Sequence, residues 1–117
     1  RHMPKSMNDG TLEMVAGRFR ILGDPSRLRL LQALAGGKRT VAEVTEACGM
    51  TQANASKHLG VLLRDGLVLR SKEGLRVYYE VADPDVFRLC DLVCGSLEKR
   101  LARDLTDLRR TTGSRQR

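Results

Sequence analysis

Only Gly49 and Met50 separate two helix signals in the middle of this chain. Upstream, Thr40 and Glu43 have the spacing of a capping box, in which each side chain accepts a hydrogen bond from the other residue's backbone. They open a short helix with Val41, Val44 and Cys48 on its apolar side, stopped by Gly49. Downstream, Thr51 can cap a second helix over 52–65 in which Ala55, Leu59 and Leu62 share one face. Two short helices joined by so tight a turn make a helix-turn-helix unit.

The opposite side of the second helix carries Ala53, Asn54, Ser56, Lys57, Gly60 and Val61, with Gln52 and His58 at its flanks. Its polar groups mix amide, hydroxyl and cation, which base edges and phosphates can use. Gly60 costs a helix interior about 1 kcal/mol relative to alanine, and a close neighbour such as the DNA major groove would explain it. The plainer alternative is a solvated face with a tolerated glycine, His58 being a packing residue at its edge.

With 117 residues the chain is expected to form one domain, and with no Trp, two Tyr and two Phe its core falls to Leu, Val, Ala and Met. That composition suits helices packed on helices. A formal charge of +7 points to a polyanionic partner, nucleic acid first and an anionic membrane surface second. No apolar run approaches the roughly 18 residues of a spanning helix, and no signal peptide is apparent, so a cytoplasmic protein is expected. Three cysteines do not suggest a disulfide framework. An enzyme is disfavoured, because the chain has no nucleophile elbow, phosphate-cradling glycine loop or metal-hydrolase motif.

Arg1 and His2, before Met3, read as a tag remnant, and 1–10 as a disordered start. From Thr11, residues Leu12, Val15, Ala16, Phe19 and Leu22 recur at helical spacing. Asp24 as N-cap and Pro25 at the first position start another helix, with Leu28, Leu31 and Leu34 as its buried stripe and Gly36 and Gly37 ending it. After Gly66 the period changes. Leu67, Leu69, Val77, Tyr79 and Val81 alternate against Arg70, Lys72, Arg76 and Tyr78, with a turn at Glu73 and Gly74, predicting a hairpin with a basic edge. A solvated basic hairpin is the alternative to a phosphate-contacting one.

Asp83 and Pro84 start a last helix expected to run to about Arg110, with Val86, Cys90, Val93, Leu97, Leu101, Leu105 and Leu108 on one stripe. At roughly 40 Å it is longer than so small a domain covers, which predicts a homodimer. The terminal helices supply the expected interface: Leu12, Val15 and Phe19 from the first, and Val93, Leu97 and Leu101 from the last. The domain thus spans 11–110, and residues 111–117 are expected to be a basic flexible tail. The fold class is mainly α with a small β-hairpin wing, a winged helix-turn-helix dimerised through its terminal helices.

The stretches ILGDPSRLRLLQAL, TVAEVTEACGMTQANASKHLGVLLRDGLV and KEGLRVYYEVADPDVFRL together resemble the ArsR/SmtB family of winged-helix transcriptional repressors, over roughly residues 12 to 98. The resemblance implies a homodimer on double-stranded operator DNA, released in many members by a metal, metalloid or thiol-reactive signal. It gives a recognition role to Thr51, Gln52, Asn54, Ser56, Lys57 and His58, and a wing role to Arg70, Lys72 and Arg76. A family site built on a Cys-x-Cys pair falls here on Thr40 and Ala42, which are not soft ligands. Another falls on Asp83, Asp85, Ser96 and Lys99, which leaves too few donors for tetrahedral zinc.

Cys90 and Cys94 remain, one helical turn apart, with Cys48 as a possible third. Thiolates at this spacing select As(III) or another soft metal ion. They also suit redox or reactive-sulfur sensing, though a direct disulfide would distort the helix. Both lie on the apolar stripe, so plain packing is the third alternative. A basic dimer that binds DNA without sequence preference is the competing reading of the whole chain.

Overall fold

The structure, a computed structural model, describes residues 6–115, with side chains through Thr111. The tag remnant expected at Arg1 and His2 lies outside the described residues. Five helices and a small sheet follow in the order α1 (Asp9–Leu22), α2 (Pro25–Ala33), β1 (Arg39–Thr40), α3 (Val41–Cys48), α4 (Gln52–Arg64), β2 (Val68–Glu73), β3 (Arg76–Val81) and α5 (Asp85–Arg115). Elements through β3 form one unit and α5 a second.

Local signals account for most boundaries. Asn8 caps α1 by accepting from Thr11 N, so the helix begins two residues before the expected Thr11 and enters the supposed disordered start. Asp24 caps α2 by accepting from the backbone of Ser26 and Arg27, with Pro25 following. Those donors hold the Asp24 carboxyl below its ordinary range, the Arg27 N–H foremost. The Thr40–Glu43 capping box forms as expected, and Gly49 at φ 65° stops α3 in the left-handed conformation that glycine adopts without strain.

The core of the first unit is built where α2, α3, α4 and β2 meet, from Leu30, Leu31, Leu34, Val44, Ala55, Leu59, Leu62 and Val68, all buried. This corrects the expected stripe of α2. Leu28 is 38% exposed, while Leu30 is fully buried. Arg27, Leu30, Leu31 and Leu34 follow the i, i+3, i+4, i+7 spacing of one helical face, and an arginine in that series disguises it.

The sheet has three antiparallel strands in the order β1-β3-β2. The two-residue β1 was not foreseen; it pairs Arg39 with Tyr79 and Thr40 with Tyr78. Thr40 thus belongs to the sheet and also caps α3. The hairpin turn lies at Gly74 and Leu75, one residue later than expected, because Glu73 still pairs with Arg76. Lys38, just before β1, is ion-paired to Glu73 beside the hairpin turn and lies 5.3 Å from the centre of the Tyr78 ring.

α5 has 31 residues and is about 46 Å long. It continues through most of the segment expected to be a flexible tail, since polar residues do not in themselves end a helix. Thr111 Oγ1 donates to the Asp107 carbonyl at 3.1 Å, no proline intervenes, and Gly113 lowers propensity by only about 1 kcal/mol. Residues 116–117 lie outside the described residues.

Candidate nucleic-acid interface

α3 and α4 pack on each other across the short turn, and Thr51 starts α4 by accepting from Asn54 N at 3.1 Å. The first two turns of α4 then expose Gln52, Ala53, Asn54, Ser56 and Lys57, while Ala55, Leu59 and Leu62 enter the core. Helical spacing alone produces this division, because i, i+4 and i+7 share a face. Thr51 itself is exposed, with its hydroxyl oxygen engaged at the helix end.

His58 departs from the expected set. It is 8% exposed, and its Nδ1 accepts from Arg27 Nε at 3.3 Å, so it faces the core and is withdrawn from the exposed row of α4. It completes the series Ala55, His58, Leu59 and Leu62. A Cβ at Gly60 would lie 3.7 Å from Arg64 Nη1, an ordinary contact, so nothing among the described residues demands glycine there.

All three wing cations are exposed, but they do not form one edge. Arg70 pairs with Tyr79 and Lys72 with Val77, whereas Arg76 pairs with Glu73. Directly paired residues share a face and successive ones alternate, so Arg70 and Lys72 lie on one side of the hairpin and Arg76 on the other. Reading the alternation straight through a two-residue turn hides this, because such a turn pairs odd positions with even ones.

The apolar residues expected at an interface are available for one. Leu12 and Phe19 on α1 are exposed, and Val15 is half-buried. Met14, not foreseen, stands out from the same helix at 77% exposure. On α5, Val93, Leu97 and Leu101 are exposed, as are Leu105 and Leu108 beyond them.

The cysteines divide. Cys48 is half-buried and its thiol donates to the Arg29 carbonyl at 3.5 Å; burial pushes its pKa up. Cys94 is exposed and donates to Glu98 Oε1 at 3.2 Å, a bond that favours the thiol and also raises its pKa. Cys90 is half-buried. Among the described residues no group of three or more His, Cys, Asp or Glu side chains is placed to share a metal ion. Cys90 and Cys94 bring two thiols of one chain to the same side of α5, one helical turn apart.

A helix-turn-helix followed by a hairpin wing defines a winged helix-turn-helix domain. A family model described as a helix-turn-helix domain matches residues 22–70. A probable mercury resistance operon repressor of Streptomyces lividans is 44% identical over 75 residues, covering 64% of this chain and 58% of that protein. A transcriptional repressor SmtB homolog of Synechocystis is 33% identical over 96 residues, covering 82% of this chain and 73% of the relative. The homodimeric winged helix-turn-helix DNA-binding domain of Mb0332 from Mycobacterium bovis, described as a possible ArsR-family transcriptional regulator, superimposes with a TM-score of 0.70 at 36% identity, covering 84% of this chain and 94% of that one. The chain belongs to the ArsR/SmtB family of DNA-binding winged-helix transcriptional regulators. It spans little more than half the length of the Streptomyces relative. No helix among the described residues is long and apolar enough to cross a membrane.

Proposed function

We propose that this chain is a cytoplasmic transcriptional repressor that binds a specific operator as a homodimer and has no catalytic role. The observation that carries the reading is the exposed row Gln52, Asn54, Ser56 and Lys57 on a helix whose other side is locked into the core. α4 is then the recognition helix, its amide and hydroxyl groups reading base edges and Lys57 meeting phosphate. Arg70, Lys72 and Arg76 add phosphate contacts from the wing. The exposed apolar residues of α1 and α5 supply the surface for the second copy. The Mycobacterium bovis relative, described as homodimeric, supports that part.

The test is binding to a duplex enriched by the protein from a random-sequence pool, compared with bulk DNA. Asn54→Ala or Ser56→Ala is expected to weaken the enriched duplex selectively, by about 1–3 kcal/mol for a lost base contact. Lys72→Ala is expected to weaken both alike and to reduce the slope of log affinity on log salt by about 1. Equal losses on every sequence for Asn54→Ala and Ser56→Ala would leave a basic protein that binds DNA without reading it.

We assign the releasing signal to the thiols of Cys90 and Cys94, which share a side of α5 at i, i+4. The Streptomyces relative, named for mercury resistance, supports a thiophilic agent, and As(III) or another soft metal ion fits that chemistry. An ion that takes three thiolates, as As(III) does, would draw its third donor from the second copy, whereas a linear two-thiolate ion would need none. A redox or reactive-sulfur signal at the same pair is the second reading, favoured by the exposed thiol of Cys94. Replacing both cysteines with serine should preserve DNA binding but abolish release by As(III) and by a persulfide donor. If the double variant is still released as the wild type is, the two cysteines are packing residues.

A further inference from the structure

Two of the inward-facing series in the core contain one polar residue each, and the two are bonded to each other. In α2 it is Arg27, in line with Leu30, Leu31 and Leu34; in α4 it is His58, in line with Ala55, Leu59 and Leu62. Arg27 Nε donates to His58 Nδ1 at 3.3 Å, and Arg27 Nη1 donates to the Ile21 carbonyl of α1 at 3.2 Å. An arginine can only donate, so Nδ1 carries the lone pair and the imidazole orientation is fixed. A second tie runs from α1 to the far end of α4. Arg18 Nε donates to Asp65 Oδ2 at 2.6 Å, and Arg18 Nη2 donates to the Asp65 carbonyl at 3.0 Å, Asp65 being the C-cap of α4.

α4 is therefore connected to α1 at two points, through directional bonds that apolar packing does not provide. A part-buried polar pair such as Arg27–His58 is weak evidence of stability, since apolar replacements of similar volume are often neutral. What directional bonds add is orientation. We infer that Arg18, Arg27 and His58 are positioning residues that fix the angle of the recognition helix relative to α1, and so the relation between the two recognition helices of the dimer. This rests on the reading of α4 as the DNA-contacting helix and of α1 as part of the dimer face, where Leu12 and Phe19 stand exposed.

Dimers read two half-sites at a fixed separation, so a loosened angle is read out as lost discrimination between spacings. The probe is a duplex enriched by the wild-type protein, alongside the same duplex with a single base pair inserted between half-sites. Arg18→Met and His58→Leu are expected to weaken the enriched duplex roughly tenfold and to narrow its advantage over the inserted one. Self-association in sedimentation and cooperative thermal unfolding are expected to persist. His58→Asn, whose Oδ1 can accept in place of Nδ1, is expected to recover most of the loss. Folded Arg18→Met protein with wild-type affinity and spacing preference would overturn the inference while leaving the functional reading intact. A wild-type protein that enriches no sequence would overturn both.

Discussion

With Leu97 and Leu101 both changed to glutamate, the protein should become monomeric and lose tight operator binding while its first unit stays folded. Both leucines are exposed, at 62% and 61%, and belong to the second unit. In a symmetric dimer each substitution counts twice. Burying a leucine side chain contributes about 1.5–3 kcal/mol, so four of them represent roughly 6–12 kcal/mol of association energy. Adding carboxylates to an apolar seam is unfavourable on top of that loss. Sedimentation at micromolar concentration would register the change directly, with circular dichroism confirming retained helix. A double variant that still sediments as a dimer and binds DNA as before would exclude this part of α5 from the interface.

Leu30→Ala is expected to lower unfolding stability by about 2–5 kcal/mol, the range for deleting a buried leucine that leaves a cavity. Leu30 is fully buried among α2, α3 and α4, so the loss would be a large part of the roughly 5–15 kcal/mol that holds a domain folded. Leu28→Ala, two residues away and 38% exposed, should cost much less. Urea unfolding of the pair tests the orientation of α2. A larger cost at Leu28 than at Leu30 would mean that α2 presents the opposite face to the core.

Those two leucines illustrate what was legible in the sequence. Caps are local chemistry, and Asp24, Thr40, Glu43 and Thr51 marked the starts of α2, α3 and α4 because their side chains have few other uses at those spacings. The exposed polar row on α4 followed from the same phase. The phase failed where a charged or titratable side chain faces inward, at Arg27 and His58, because the bond that joins them links residues 31 positions apart. A signal existed in the i, i+3, i+4, i+7 series that each completes, but an apolar pattern discards a polar member. β1 is too short to carry a period and exists only against the edge of β3. The distribution of wing cations between two faces depended on strand register, which alternation alone does not specify across a turn.

Thr40 joins the sheet to α3 without any intervening residue: it pairs with Tyr78 and begins the helix in the same step. Hinges are loop or element-terminal residues free to absorb changes in φ and ψ. Here the terminal residue is held on both sides, by the strand ladder and by the capping box. The wing and α3 therefore form a joint without slack, like two arms cut from one piece. Turning one against the other would have to break either the pairing of Thr40 with Tyr78 or its capping box with Glu43.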